Sequence, residues 1–470
     1  MLFRLIVMEM NRYLPDIISV LLLSAVSLHA QETPVRLSLE QCVSMSSEGN
    51  VNVRNANLDI LSAKARKQEA FAEYFPTVSA SAFGFYAIEP MLEIGVKDIV
   101  GDNDLGNNIQ NIINQYAPIY GIEPIYSTLQ YGYSATVMAT QPVYAGGRIV
   151  AGNRLAALGV EAASLKRNIS LRSGTEEVEK AYWQVVALEE KMQTLVQASE
   201  MLDNLHKDVS AAVSAGLAMD TDLMQVELKK NEIRSGMVMV RNGIRLSKMN
   251  LFNMIGMDYS VVAGTGTAER PFVDDVMLAD RIDSLLSPDN YYAPEEEIAA
   301  SLDESRLLEL SVEARKMEKR MTLGEALPSV AVGASYGYSQ VVNQRSNGNV
   351  FAMVRIPITD WGKVSRKLKR QEYEICKADN DREYLSAQLL LQMRQLWMNL
   401  TASWEQLEVA RETVSLARAT EESMAVKYEA GMVPLSELLQ VRTELDRAKD
   451  ELVDRSIDYK NALTEYVGRK

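Results

Sequence analysis

The chain has 470 residues and a formal net charge of −14 at neutral pH. This acidic balance argues against nucleic acid as a partner, because a phosphate backbone attracts basic surfaces. Only two histidines are present, His29 and His206, which argues against histidine-based triads and multi-histidine metal sites. We therefore expect no catalysis, no cofactor and no bound metal.

Residues 1–30 are typical of a secretory signal peptide. Arg12 supplies positive charge, "IISVLLLSAV" is a short apolar run, and Ala30 is a small residue suited to cleavage. The run is too short to cross a bilayer as a helix. We therefore expect an exported protein.

The two cysteines, Cys42 and Cys376, lie in helical patterns far apart in the sequence. The sequence allows one disulfide between them or two buried free thiols.

Two similar stretches indicate an internal duplication. "VSAGLAMDTDLMQVE" at 213–227 resembles "KYEAGMVPLSELLQV" at 427–441, and Gly216 and Gly431 lie 215 positions apart. The same shift aligns "QPVYAGGR" with "IPITDWGK", which end at Arg148 and Lys363. A pattern that recurs at a constant shift is the signature of a structural repeat.

The repeat also predicts the domain organisation. We expect a first repeat at 31–258, an inter-repeat linker at 259–296 and a second repeat at 297–470. The predicted strands lie at about 75–87, 129–144, 327–340 and 348–358, the helical hairpins at 148–256 and 363–466, and a long insertion in the first repeat at 88–128.

The hairpins begin with unusually long helices. No proline occurs between Pro142 and Pro271, and Tyr182, Val185 and Leu188 follow a helical spacing. A helix of about 65 residues would be roughly 100 Å long. Such a helix needs lengthwise packing in a coiled coil or a helical barrel.

The stretches around Gly216 and Gly431 suit hairpin tips. Glycine adopts the left-handed conformation that closes a helix. Pro434 suits the first turn of the returning helix, and acidic side chains suit its positive end. These acidic or capping positions are Asp220, Asp222, Ser436 and Glu437.

The predicted strands alternate in a way that fits a membrane wall. In "PSVAVGASYGYS", Val330 and Val332 lie on one face while Ala331 and Gly333 lie on the other. Strands of about ten residues with this period fit transmembrane β-structure, although a strand in a soluble sandwich shows the same period. Four strands cannot close a barrel, and open edges cannot face lipid, so we expect the chain to oligomerise.

The chain resembles the TolC family of outer-membrane efflux proteins. The resemblance is carried by the repeated strand openings "YFPTV" and "ALPSV", by "QPVYAGGR" and "IPITDWGK", and by the paired tips. It covers essentially the whole mature chain, and it is the order and double occurrence of the motifs that make it specific.

The resemblance implies a mainly α fold with membrane β. Long antiparallel coiled-coil helices would form a periplasmic α-barrel, and each protomer would contribute four β-strands toward a trimeric 12-stranded β-barrel. The implied partners are two sister subunits, a periplasmic adaptor, an inner-membrane efflux or secretion pump and outer-membrane lipid. The implied location is the outer membrane of a Gram-negative bacterium, extending into the periplasm. Residues 88–128, with "GDNDLGNN", would be the long extracellular loop, and residues 259–296 would lie at the equatorial belt of the tunnel.

The resemblance also implies a gate on the returning helix of the second hairpin. The matching positions are Glu437 and Gln440, so a trimer would carry one ring of carboxylates where the family pattern has two. A carboxylate ring favours cations at a constriction. The alternative is a solvated glutamate favoured by the helix dipole.

Further functional positions are expected at the strand-to-helix junctions and at the hairpin tips. Trp361 is expected either as an interfacial anchor or as an apolar plug between barrel and tunnel. The positions expected to dock an adaptor are Gly216, Leu217, Asp222, Gly431, Met432 and Pro434. The positions expected at strand-to-helix junctions are Pro142, Gly147, Pro357, Trp361 and Gly362.

We therefore predict a passive exit duct that an adaptor and a pump open, with no enzymatic activity. The alternative is an exported structural trimer of coiled coils that does not transport. The strands favour the duct, because a stalk needs no amphipathic β-segments. The sequence does not identify the cargo.

Overall fold

The fold is described from a computed structural model. It covers residues 35–89, 91–121, 125–128, 131–282, 285–340 and 345–470. The predicted signal peptide at 1–30 lies outside these described residues, as do the first two positions of the strand predicted at 129–144.

Helices dominate the described residues, and two of them are 67 residues long. In chain order the helices are α1 (Leu39–Gly49), α2 (Val51–Ala72), α3 (Val96–Val100), α4 (Asp104–Tyr116), α5 (Arg148–Ser214), α6 (Asp220–Ile255), α7 (Glu295–Ser301), α8 (Asp303–Glu325), α9 (Lys363–Glu429) and α10 (Leu435–Val467).

The strands divide into one larger sheet and two short pairs. They are β1 (Arg36–Leu37), β2 (Thr77–Tyr86), β3 (Leu92–Gly95), β4 (Ile125–Thr128), β5 (Tyr131–Ala145), β6 (Met277–Leu278), β7 (Ser329–Ser339) and β8 (Arg345–Arg355).

The larger sheet is antiparallel, in the order β2-β5-β7-β8. Its two middle strands come from different halves of the sequence. The edges are β2 and β8, which have no further strand partner among the described residues. An unpaired edge presents a row of free N–H and C=O groups.

The chain contains two compact units. Within the described ranges, one unit consists of residues 35–59, 164–306 and 384–470. The other consists of residues 60–163 and 307–383, and it contains the four-stranded sheet.

The first of these units contains two cores, one beside each helical hairpin, and Ile457 of α10 also joins the first of them. Tyr182, Phe252 and Cys42 are buried where α5 and α6 pack against α1. Met393 and Tyr459 are buried where α9 and α10 pack against α7. The segment between the hairpins is tied to the first core, because Tyr182 donates a hydrogen bond to Asp280 Oδ2 over 2.8 Å.

The predicted insertion at 88–128 contains regular structure. The strands β3 and β4 pair in antiparallel register, and α3 and α4 follow β3. The start of α4 is capped by Asn103, whose Oδ1 accepts a hydrogen bond from the Gly106 N–H over 2.8 Å. This cap lies inside "GDNDLGNN", which the resemblance assigns to a long loop; Asn and Asp favour helix N-caps as well as turns.

Both cysteines are free thiols. Cys42 is fully buried, and burial raises its pKa to about 11. Cys376 is exposed on α9. The predicted alternative of two buried thiols is therefore wrong for Cys376, because the helix face that carries it is open to solvent.

Candidate functional site

The two hairpin tips have the same backbone geometry. Gly216 follows α5 with φ 73°, and Gly431 follows α9 with φ 72°. The N–H of Leu217 donates to the Ala212 carbonyl over 2.8 Å. In the second tip, the N–H of Met432 donates to the Lys427 carbonyl over 2.9 Å. These bonds satisfy helix carbonyls that would otherwise lack a donor.

The returning helices start differently after these turns. In α6, Asp222 Oδ2 accepts a hydrogen bond from the Met219 N–H over 3.1 Å. Pro434 precedes α10, and its carbonyl accepts a hydrogen bond from the Glu437 N–H over 3.2 Å. The carboxylate of Asp222 is thus engaged in capping, whereas Glu437 uses only its backbone.

The tips expose large apolar side chains. Leu217 is 83% exposed and Met432 is 75% exposed. These side chains flank the closing glycines and contribute little to the core of their own chain. Exposed apolar residues in tight turns are suited to contact a partner.

Glu437 and Gln440 lie on one face of α10, as their spacing requires. Both are exposed. The Glu437 side chain has no hydrogen-bond or ion-pair partner within the described part of the chain. Gln440 donates a hydrogen bond to Glu444 Oε1 over 3.2 Å. A carboxylate left without an internal partner is available to ions in solution.

A small apolar cluster holds the two hairpins together near their tips. Val209 on α5 and Val226 on α6 are buried against Leu435 on α10. Tyr428 on α9 packs on this cluster. Burial, and then the charge of Asp222, raise the pKa of the Tyr428 hydroxyl.

Sequence reasoning missed Tyr428. It stands three residues before Gly431, and the equivalent position in the first repeat is Val213. The difference between the copies, a tyrosine where the other tip has valine, is the signal that could have identified it.

A row of charged groups extends along α10 from the tip. Arg442 Nε lies 2.9 Å from Glu421 Oε1 of α9, with both side chains mostly buried. One turn further on, desolvation, followed by the charge of Asp450, raises the pKa of Asp446. Desolvation also raises the pKa of Asp450, whose buried Oδ1 accepts no hydrogen bond. This face therefore carries carboxyl groups that resist ionisation.

The first strand-to-helix junction is built from glycine. The pairing of β5 with β7 is irregular between Pro142 and Tyr144. Gly146 and Gly147 follow with φ 62° and 78°. A Cβ on Gly146 would overlap the carbonyl oxygen of Gly324, so only glycine fits there.

The second junction uses different residues for the same turn. Pro357 lies just beyond β8, and Gly362 has φ 78°. Asp360 caps α9, since its two carboxylate oxygens accept hydrogen bonds from the N–H groups of Gly362 and Val364. Trp361 has φ 57° and is 89% exposed.

The register of the larger sheet places apolar residues of all four strands on one face. Val78, Val137, Tyr336 and Val350 lie on this face, and each is at least half exposed. We call it the apolar face. The opposite face consists mainly of small and polar residues, namely Thr77, Ser79, Ser81, Thr136, Thr140, Gly333, Ser335, Gly337, Asn347 and Asn349, but it also carries the larger apolar residues Phe83, Phe85, Met138, Phe351 and Met353.

Neither a metal site nor a membrane-spanning helix is found in the part of the chain that the structure describes. No three His, Cys, Asp or Glu side chains there are grouped to hold a metal ion. Likewise, no helix in the described ranges combines the length and the apolar character needed to cross a membrane.

Comparison with known proteins identifies the fold. Residues 307–465 match the model of the outer membrane efflux protein family. No curated protein matches the sequence. Among solved structures, a membrane protein from Pseudomonas aeruginosa aligns with a TM-score of 0.71 and 14% identity, over 92% of this chain and 93% of that one.

Two outer-membrane channels show the same likeness. The CmeC channel of Campylobacter jejuni aligns with a TM-score of 0.69 and 13% identity, over 92% of this chain and 85% of that one. The open-state MtrE channel of Neisseria gonorrhoeae aligns with a TM-score of 0.65 and 14% identity, over 92% and 88%. The predicted resemblance to the TolC family is thereby confirmed: the chain matches the outer membrane efflux protein family over residues 307–465 and has the fold of outer-membrane channels.

Proposed function

We propose that this protein is the outer-membrane exit duct of a tripartite efflux or type I secretion system in a Gram-negative bacterium. It acts as a passive channel and catalyses no reaction. A periplasmic adaptor opens it, and an inner-membrane pump supplies the energy. The matches to the efflux family and to channel structures support this proposal.

The apolar face of the sheet is the strongest structural support for this proposal. A soluble sheet covers its apolar face with another layer, whereas this face exposes Val350 by 86% and Val78 by 66%. The opposite face is mainly Ser, Thr, Gly and Asn, with a minority of larger apolar side chains, and this composition suits a water-filled lumen. An apolar outer face combined with a polar inner face is the pattern of a barrel wall in a membrane.

The same sheet supports a homotrimer. Its edges β2 and β8 have no further partner in the described chain, and unpaired edges are not tolerated in lipid. Pairing of β8 with β2 of a second copy would satisfy both edges, and three copies would supply twelve strands. The two hairpins of each copy would then build the periplasmic tunnel.

The tips supply the proposed gate and the adaptor contact. Leu217 and Met432 present exposed apolar side chains beside the closing turns. Glu437 presents a carboxylate with no partner in the described chain, so three copies would form a ring that attracts cations.

The second candidate is an exported structural trimer of coiled coils. Extraction from outer membranes in detergent, followed by planar-bilayer recording, separates the two. We expect extraction with the outer membrane and stepwise conductance. A protein released in soluble form that conducts no current would contradict the duct and favour the structural role.

A further inference from the structure

The two strand-to-helix junctions differ sharply in charge. The first eight residues of α9 contain Lys363, Arg366, Lys367, Lys369 and Arg370, which is five cations in a chain of net charge −14. The aligned start of α5 has cations only at Arg148 and Arg154. Since both segments make the same turn into a long helix, the turn itself does not require the extra charge.

The cations of α9 lie in its first two turns, where positive charge is electrostatically unfavourable. The N-terminus of a helix is its positive end, and like charges three or four residues apart repel each other. Asp360 already accepts hydrogen bonds from the terminal N–H groups, so the backbone there is satisfied. Asp360 and Glu325 offset part of this charge, and the remaining cations are open to an anion from outside the chain.

Most of these cations have no partner of their own. Lys367 Nζ lies 2.7 Å from Glu325 Oε1. The side chains of Lys363, Arg366 and Arg370 form no ion pair with the described residues, and all three are exposed. At spacings of three and four residues they share one face of the helix.

Trp361 is a second difference between the two junctions. It occupies the position of Gly146 and adopts the same left-handed conformation, φ 57° against 62°. It is the one residue other than glycine with positive φ in the described ranges. Trp361 is held there against its backbone preference, and at 89% exposure its side chain buries little surface against its own chain.

Exposed apolar groups continue from Trp361 toward the sheet. Ile358 is 94% exposed and Ile356 is 61% exposed, and both directly follow β8. Along the chain the order is thus the apolar end of β8 closed by Arg355, then exposed isoleucines, Asp360, the exposed tryptophan and the cations. This order matches a membrane boundary, where Trp lies at the headgroup level and Lys and Arg reach the phosphates.

We propose that Trp361, Lys363, Arg366 and Arg370 bind the headgroups of anionic phospholipid where α9 leaves the membrane. The proposal rests on the proposed function, which places the larger sheet in the outer membrane and α9 on its periplasmic side. The indole lies among the headgroups and upper acyl chains. The three cations bind phosphate groups, which balances the charge at the positive end of α9.

The test uses protein purified in detergent and fluorescent phosphatidylglycerol, with phosphatidylcholine as the neutral lipid. The wild type is expected to bind phosphatidylglycerol more tightly, and added salt should weaken this preference. Lys363→Gln, Arg366→Gln and Arg370→Gln together should weaken phosphatidylglycerol binding by about a hundredfold, given the usual contribution of each cation at an anionic surface.

A matched control removes the same charge elsewhere. Arg234, Arg418 and Arg447 are exposed on α6, α9 and α10, and their side chains have no ion-pair partner in the described chain. Changing these three to glutamine should leave lipid binding within about twofold. An equal loss in the control would overturn the site, since it would show that only net charge matters.

The variant Trp361→Gly separates lipid binding from folding. It restores the residue that the first junction uses, so it relieves backbone strain, yet it should weaken phosphatidylglycerol binding and abolish the tryptophan quenching caused by brominated lipid. Unchanged quenching and binding would overturn the role of Trp361.

Two readouts keep this proposal apart from the proposed function. If the triple variant dissociates into smaller particles but keeps its lipid affinity, the cations form ion pairs with a second copy and the lipid site is refuted. If the triple variant loses its preference for phosphatidylglycerol while its particle mass and conductance stay normal, the lipid site is supported. Conductance by a wild type that shows no preference for phosphatidylglycerol would refute the site while leaving the duct intact.

Discussion

Gly216 and Gly431 close the two long helices with nearly the same φ, 73° and 72°. In neither case would an added Cβ meet another atom within 4 Å, so the requirement for glycine lies in the backbone alone. We predict that Gly431→Ala lowers stability by about 1 kcal/mol, the usual cost of a left-handed alanine. Thermal unfolding in detergent measures this loss.

The matched control is Gly159→Ala. Gly159 lies inside α5, where a Cβ would also meet open space and φ is not left-handed. Alanine there should stabilise the helix by roughly 0.5–1 kcal/mol. Equal effects of the two substitutions would contradict the assignment of Gly431 to a closing turn.

Tyr182 ties the inter-repeat segment to α5. Its hydroxyl donates to Asp280 Oδ2 over 2.8 Å, and the Leu39 N–H donates to the same oxygen over 2.8 Å. The Asp280 N–H also donates to the Tyr182 hydroxyl, over 3.2 Å. Tyr182→Phe should cost about 1–3 kcal/mol, because it leaves the carboxylate and the N–H of Asp280 each short of a partner. Tyr384→Phe, at an exposed tyrosine, should change the unfolding midpoint little; the interpretation fails if both variants unfold alike.

Asp446 and Asp450 should make stability depend on pH. Desolvation raises the pKa of both in the folded chain, so folding favours their protonated forms. This contribution is fully present below the ordinary pKa of aspartate and is lost as pH rises through the raised value. Asp446→Asn with Asp450→Asn should therefore raise the unfolding midpoint near neutral pH by a few degrees.

The gain should shrink toward about pH 4, where the wild-type carboxyls become protonated. Asp381→Asn, at an exposed position on α9, serves as the control and should show no such trend. A constant gain at all pH values would show that packing, and not ionisation, accounts for the effect.

Glu437 should govern divalent block if it lines the gate. Removing the carboxylate ring with Glu437→Gln is expected to weaken the block of single channels by divalent cations several-fold and to lower cation selectivity, because the charges no longer converge at the constriction. Glu48→Gln removes the same charge from α1 and should leave the block unchanged. Wild-type block in the Glu437 variant would reject the gate.

The fold class could be predicted from the sequence because its elements have strong local signals. Alternation in "PSVAVGASYGYS" marks a strand, and the structure has β7 at Ser329–Ser339. A proline-free stretch with helical spacing marks a long helix, and the structure has α5 at Arg148–Ser214. The proposed division into two repeats and a linker stays a prediction.

Other features depend on contacts that no local pattern encodes. Tyr428 on α9 packs on a cluster that includes Val226 on α6 and Leu435 on α10, so its burial depends on contacts between the two hairpins. The helix α4 begins at Asn103, and asparagine favours turns as well as helix N-caps, so its residue type alone does not mark a helix start. Likewise, only the structure shows Trp361 in the conformation that the first repeat reserves for Gly146.

The central claim is that separate copies complete one channel wall, and the mass of the detergent-extracted protein tests it most directly. Native mass spectrometry should give three chains per particle, and the same particles should conduct in planar bilayers. A homogeneous single chain, stable in detergent with β2 and β8 unpaired and without conductance, would contradict the account.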